Sequence, residues 1–345
     1  MTKAAISAIE YYLPKKVVTN AQLSSEFPEW SVEKIERKTG IVERHIAAAG
    51  ECSSDLAFES AKRLFQSGAC KPGDVDFLLF CTQSPDYFLP TTACILQHRL
   101  GLPQTAGSLD FNLGCSGYIY GLGLAAALIE NGQVHNVLLI TAETYSKFIG
   151  RRDKSVRTLF GDAGCSTLIR GFEAHDGPLI GPFVYGTDGS GAENLIVRTG
   201  GMRHSRCSES AVETEAESGN VRSEDNLFMN GAEIFDFTLR EVPICISRLL
   251  TRAGLERDAV DLFVFHQANN FMLQHLRDQI GIPEDKFFVS LRDCGNTVSA
   301  SIPIALKKAS DGGRLKPGDL VMLVGFGVGY SWGATLVRWV DGTLS

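Results

Sequence analysis

The 345-residue sequence has no Cys-x-x-Cys pair, no excess of positive charge and no apolar run long enough to cross a bilayer. Its nine cysteines, at 52, 70, 81, 94, 115, 165, 207, 245 and 294, are odd in number and unpaired in spacing, which argues against a disulfide framework and against a zinc site. With 33 basic and 40 acidic residues the net charge is −7, so no global field gathers phosphate, and nucleic acid is not expected as a partner. The longest apolar run, Gly117 to Ile129, falls short of the roughly 18 residues a membrane span needs, so no membrane association is expected. The N-terminal MTKAAISAIEYYLP has no cleavable apolar core, and the expected location is the cytoplasm. What remains is 44% hydrophobic and 21% charged residues, a globular composition with enough length for two domains or two fused halves.

The chain repeats itself. VDFLLFCTQ (75–83) matches VDLFVFHQ (260–267), Gly101-Leu102-Pro103 matches Gly281-Ile282-Pro283, VHNVLLI (134–140) matches GDLVMLV (318–324), and TLIR (167–170) matches TLVR (335–338). The matches keep their order, so two similar halves are expected, 1–175 and 176–345, the first with an insertion between Glu143 and Phe160. Short Val/Ile/Leu/Phe-rich strands alternate with helical stretches such as Tyr118 to Glu130 and Phe271 to Gln279, the pattern of an α/β fold. Residues 200 to 225 are polar and aperiodic and read as a surface excursion.

Four places carry chemistry. In DFNLGCSGYIYGLGLAAAL (110–128) a strand runs through a glycine turn into a small-residue helix, which puts Cys115 at a helix N-terminus, where free N–H groups stabilise a thiolate. His266 leaves the end of the strand Leu262 to Phe265; Cys81 occupies the matching place in the first half, so the fold itself does not require histidine there. Asn296 lies thirteen residues after Pro283 and Cys115 twelve after Pro103, which predicts equivalent places for the two in opposite halves. GFGVGYSWG (325–333) follows a strand and offers successive backbone N–H groups, the material of an oxyanion hole, without the lysine of a phosphate loop.

On these residues the sequence resembles the β-ketoacyl-[acyl carrier protein] synthase III family of the thiolase superfamily, along essentially its whole length. KTGIVERHIA (38–47), NLGCSG (112–117), FGDAG (160–164), HQAN (266–269), GNT (295–297) and GFGVGYSWG carry the resemblance. It implies a thiolase-like, five-layered αβαβα fold of two pseudo-symmetric halves, a homodimer, and a catalytic set of Cys115, His266 and Asn296. It further implies an oxyanion hole from the N–H groups of Cys115 and of Gly327 or Val328, and substrate contacts from Leu89, Lys154, Gly231, Phe235 and Asn269. No bound cofactor or metal is implied; the substrates are an acyl-coenzyme A or acyl-[acyl carrier protein] primer and malonyl-[acyl carrier protein], with acyl carrier protein a transient partner.

The residue types suit decarboxylative Claisen condensation. One thioester replaces another on the cysteine, and loss of CO₂ from a malonyl thioester yields a carbanion without a strong base, provided donors hold the enolate oxygen. The alternative is transfer of the Cys-bound acyl group to an alcohol or amine. Lys34 and Lys154 stand where coenzyme-A-primed members commonly stack adenine between Trp and Arg, and Leu89 replaces a primer-pocket phenylalanine. Phe271, Asp278 and Gln279 stand where carrier-guiding basic residues are usual, which directs docking toward Arg277, Lys307 or Lys308.

Overall fold

A computed structural model describes residues 1–173 and 177–340. The expected boundary between 175 and 176 lies outside the described residues. Two sheets dominate. The first runs Thr2–Tyr12, Ala163–Glu173, Asn136–Glu143, Phe77–Cys81, Gly107–Phe111; the second runs Ile180–Thr187, Ser331–Arg338, Leu320–Gly327, Leu262–Phe265.

The repeat read from the sequence is a repeat of pairing as well. Phe77–Cys81 lies parallel to Asn136–Glu143, as Leu262–Phe265 lies parallel to Leu320–Gly327. Each of those partners then pairs antiparallel with the strand holding TLIR or TLVR, in the same register: Asn136 faces Arg170 and Leu320 faces Arg338. The edge strand Gly107–Phe111 has a reduced counterpart, a single parallel bridge between Phe263 and Phe287.

Strands apolar on both faces explain the layering, because each face must be covered. Leu79, Val137 and Leu139 pack inward, while Leu78, Phe80, Leu138 and Ile140 pack outward beneath the helix Ser53–Gln66. In the second sheet Leu262, Val264, Val321 and Leu323 face inward and Phe263, Phe265, Met322 and Val324 face outward, toward Gly231–Ala253 and Asn270–Ile280. The helices Gly117–Glu130 and Ser301–Asp311 fill the space between the sheets, completing five layers, αβαβα. Burying a side chain such as Phe263 or Phe265, both fully enclosed, stabilises the fold by ~1.5–3 kcal/mol each.

The 23-residue helix Gly231–Ala253 is capped at its start by Asn230, whose side chain accepts from Glu233 N–H, and is closed by Gly254 in the left-handed conformation. The excursion at 200–225 is mostly exposed, as its polarity predicts, yet it is tied down: Thr214–Glu215 pairs with Val221–Arg222, and Arg222 forms an ion pair with the buried Asp153 at 2.9 Å. Among the described residues no helix is long and apolar enough to cross a membrane.

Candidate active site

Cys115 sits in the turn between the edge strand Gly107–Phe111 and the helix Gly117–Glu130. Ser116 is the N-cap, so the cysteine stands one residue outside the helix rather than within its first turn. The second half closes over it. Ser116 Oγ lies 2.5 Å from Ser331 Oγ, and a Cβ on Gly327 would fall 2.8 Å from both Cβ and Sγ of Cys115. Only glycine permits that approach.

The thiol does not match the expectation of an activated resting thiolate. Burial pushes it up to about 12 and the carboxyl of Glu143 pushes in the same direction, while the N–H groups of Val328 and of Cys115 itself, directed at the sulfur, pull it down. Desolvation dominates because the sulfur is enclosed. The N–H that reaches the sulfur from the glycine loop belongs to Val328; Gly327 supplies the close approach.

His266 is held by Ser301, whose Oγ lies 2.7 Å from Nδ1 and also accepts from Gln267 N–H at 3.3 Å. The backbone of Val298 also hydrogen-bonds the ring. Burial lowers the imidazole to about 3, so the ring is neutral near neutral pH, and the Phe326 ring stands edge-on to it at 5.5 Å.

Asn296 is clamped by backbone: its N–H donates to Leu159 O and its carbonyl accepts from Gly161 N–H, both at 2.9 Å. Its side-chain Oδ1 accepts from Val298 N–H at 2.9 Å, leaving the amide N–H groups available. The 158–161 segment is itself braced by Arg44 of the KTGIVERHIA motif. This fully buried guanidinium donates to Thr158 O and Asn20 Oδ1, both at 2.8 Å, and to Val18 O at 3.1 Å.

Cys115, His266 and Asn296 meet at one partly open cavity of about 70 Å³, together with Gly231, Asn269 and Gly327. Its apolar wall includes Phe160, Leu195, Met229, Ile234 and Met272. Apart from Phe160, which opens the FGDAG motif, these residues are indistinguishable in sequence from core. Phe160 and Leu159 come from the end of the predicted insertion, which accordingly forms part of the site.

Three sequence-predicted contacts lie elsewhere in the chain. Leu89 is 82% exposed, in a row with the exposed Tyr87 and Phe88, because its loop extends away from the body. Lys154 is engaged by Glu29, 2.6 Å from its Nζ. Phe235, one helical position beyond the lining residue Ile234, packs on Phe271 and His275 at ring distances of 5.6 and 5.5 Å. The suggested docking cations are all in ion pairs: Arg277 with Asp278 and Glu284, Lys307 with Glu10 and Asp311, Lys308 with Asp293.

The predicted equivalence of Cys115 and Asn296 does not hold. Nine residues separate Ser108 from the helix start at Gly117, whereas fourteen separate its counterpart Phe287 from the helix start at Ser301. The second connection is longer, and counting back from the helices places Ser299, not Asn296, opposite Cys115.

Two family models match the chain: 3-oxoacyl-[acyl-carrier-protein (ACP)] synthase III over residues 109–189 and its C-terminal counterpart over 250–339. The β-ketoacyl-[acyl-carrier-protein] synthase III of Caldanaerobacter subterraneus subsp. tengcongensis is 36% identical over 336 residues, covering 97% of this chain and 98% of the relative. A crystal structure of a 3-oxoacyl-(acyl-carrier-protein) synthase III matches with a TM-score of 0.96 at 53% identity, covering 98% of this chain and 100% of that one. A 3-oxoacyl-(acyl-carrier protein) synthase from Burkholderia xenovorans LB400 matches with a TM-score of 0.89 at 37% identity, covering 99% and 95%. The chain therefore belongs to the β-ketoacyl-[acyl-carrier-protein] synthase III family, condensing acyltransferases of the thiolase fold.

Proposed function

We propose that Cys115 carries the acyl primer and that His266 and Asn296 drive its decarboxylative condensation with malonyl-[acyl carrier protein]. The observation that carries this reading is the small cavity where the buried sulfur meets a neutral imidazole and an asparagine whose amide oxygen is already engaged.

Thiol and imidazole are both neutral at rest, so the thiol proton leaves as the sulfur attacks the primer thioester. The new C–S bond forms, the bond to the donor breaks, and the departing thiolate takes up the proton. The N–H groups of Cys115 and Val328, which favour negative charge on the sulfur, are the donors assigned to the acyl carbonyl oxygen as it develops charge. Malonyl thioester then loses CO₂, and the electron pair of the broken C–C bond becomes an enolate. Its oxygen takes hydrogen bonds from His266 Nε2–H and Asn296 Nδ2–H. Neither donor has to change its protonation state, which fits a ring that burial keeps neutral. The enolate carbon attacks the Cys115-bound carbonyl, and the sulfur leaves as a thiolate that takes a proton from water.

We assign the pantetheine arm to Gly231 and Asn269, which line the cavity. Leu89 stands exposed in an apolar row with Tyr87 and Phe88, and the edge strand Gly107–Phe111, with Leu109 39% exposed, leaves an edge free for a second copy; both support a homodimer that brings Leu89 to a primer pocket. Acyl-coenzyme A or acyl-[acyl carrier protein] supplies the primer, acyl carrier protein is the transient partner, and the cytoplasm is the place of action.

The test is intact-protein mass after mixing with acyl-coenzyme A and acyl-carrier-protein donors, followed by a malonyl-carrier-protein chase. An adduct absent from Cys115→Ala and discharged with CO₂ release is expected. An adduct stable to the chase but removed by an alcohol or amine would replace condensation by simple acyl transfer.

A further inference from the structure

Glu143 ends the strand Asn136–Glu143, at the register place that Gly327 holds in the other half, and its side chain is fully buried. Every hydrogen-bond partner of its carboxyl is a neutral donor. Gln83 N–H donates to both oxygens at 3.0 and 3.2 Å, Ser84 Oγ donates at 3.1 Å, Thr82 Oγ1 at 3.5 Å, and Ser299 Oγ donates at 2.9 Å from the opposite half of the molecule. Burial without a cation opposes ionisation, and the carboxyl is pushed up to about 8. An apolar residue of similar size would avoid that cost, so the carboxyl must do something packing cannot.

Ser299 lies in the short turn Val298–Ala300. On one side, Val298 N–H fixes the Asn296 amide oxygen at 2.9 Å; on the other, Ser301 Oγ fixes His266 Nδ1 at 2.7 Å. Val298 itself has φ 54, the sole positive φ of a non-glycine among the described residues. A β-branched residue adopts that conformation only where its surroundings over-determine it. The anchored Ser299 is its immediate neighbour.

We infer that Glu143 is a positioning residue for carbon–carbon bond formation: through Ser299 it holds the 298–300 turn in the strained shape that aims both the Asn296 amide and the His266 imidazole. This rests on the condensing function proposed above and adds to it a residue that touches neither substrate nor sulfur.

The experiment separates the two half-reactions in Glu143→Ala, Glu143→Gln, Ser299→Ala and the Glu143→Ala/Ser299→Ala double variant. Acylation of Cys115 is timed by intact mass, and CO₂ release is timed after preloaded acyl-enzyme meets malonyl-carrier protein. In Glu143→Ala and Ser299→Ala, acylation stays within about threefold of wild type while CO₂ release falls ~10-fold or more, the scale of a small misplacement of catalytic groups. The double variant is no worse than either single one, because both remove the same link. Glu143→Gln recovers part of the loss, since its amide oxygen can accept the Ser299 hydroxyl.

Should Glu143→Ala fail to fold, Ser299→Ala and Glu143→Gln carry the test. CO₂ release at the wild-type rate in Ser299→Ala overturns the inference, and so does an equal fall of both half-reactions. A wild-type enzyme that forms no adduct or releases no CO₂ overturns the proposed function along with it.

Discussion

Where Cys115 precedes the helix Gly117–Glu130, the strand end facing it is Gly327; where Ser299 precedes the helix Ser301–Asp311, the strand end facing it is Glu143. Behind the first corner the other half contributes His266, and at the matching place behind the second stands Cys81, whose sulfur lies 3.0 Å from Leu113 O. One backbone plan is thus used twice. A glycine at the first strand end leaves room for a substrate beside the sulfur, whereas a glutamate at the second fills the space and hydrogen-bonds the serine. Whether a corner becomes an active site or a brace depends on the side chains at these three places rather than on topology.

The sharpest way to break this contrast is to make the corners alike. Cys115→Ser puts a hydroxyl at both; loss of the thiol nucleophile is expected to lower condensation by a factor on the order of 10⁴ or more, measured as CO₂ release and product formation. Asn296→Ala removes one enolate donor and should cost ~10²–10³-fold in CO₂ release from preloaded acyl-enzyme, with acylation much less affected. Gly327→Ala forces a methyl to within 2.8 Å of the sulfur, and the displaced nucleophile should acylate ~10²-fold more slowly.

Acid stability contrasts His266 with its counterpart Cys81. The folded imidazole titrates at about 3, below its ordinary 6.5, so its contribution to stability is present above 6.5 and lost as pH falls toward 3, where the unfolded chain binds a proton the folded chain refuses. Between pH 7 and pH 5 this loss is ~2 kcal/mol, at about 1.36 kcal/mol for each unit. Urea unfolding at the two pH values should show a smaller acid-side loss in His266→Asn than in wild type. Cys81, with no proton to gain in that range, makes no such contribution.

The smallest expected effect is also informative. Ser299→Cys places a second thiol at the mirrored corner, yet intact mass should still show one acyl group per chain, because Glu143 occupies the space a substrate would need. A second adduct would end the claim that the glutamate seals that corner.

Much of the site was legible because its residues lie in short motifs with a structural reason. Cys115 follows a glycine turn, His266 ends a buried strand, Asn296 follows Gly295, and Gly327 lies in a glycine loop; all four line one cavity. Leu89, Lys154 and Phe235 were placed by resemblance in surface segments, where ion pairing, exposure and ring stacking decide their positions within this chain. Counting from Pro103 and Pro283 misled because the second connection carries extra residues that only helix starts and strand register reveal. Glu143 and Ser299 gave no signal: a glutamate at a strand end looks solvated, and a serine near a helix start looks like a cap.

The sequence by itself determined the doubled α/β plan, the strands apolar on both faces and the motifs that carry the chemistry, since these rest on periodicity, turn residues and repetition along the chain. Tertiary structure alone decided that the thiol and the imidazole are neutral at rest, that Arg44 braces the segment holding Asn296, and that Glu143 reaches across to Ser299. The reason is physical: pKa shifts arise from desolvation, and these hydrogen bonds join residues more than a hundred positions apart, so both exist only once distant segments of the chain fold onto one another.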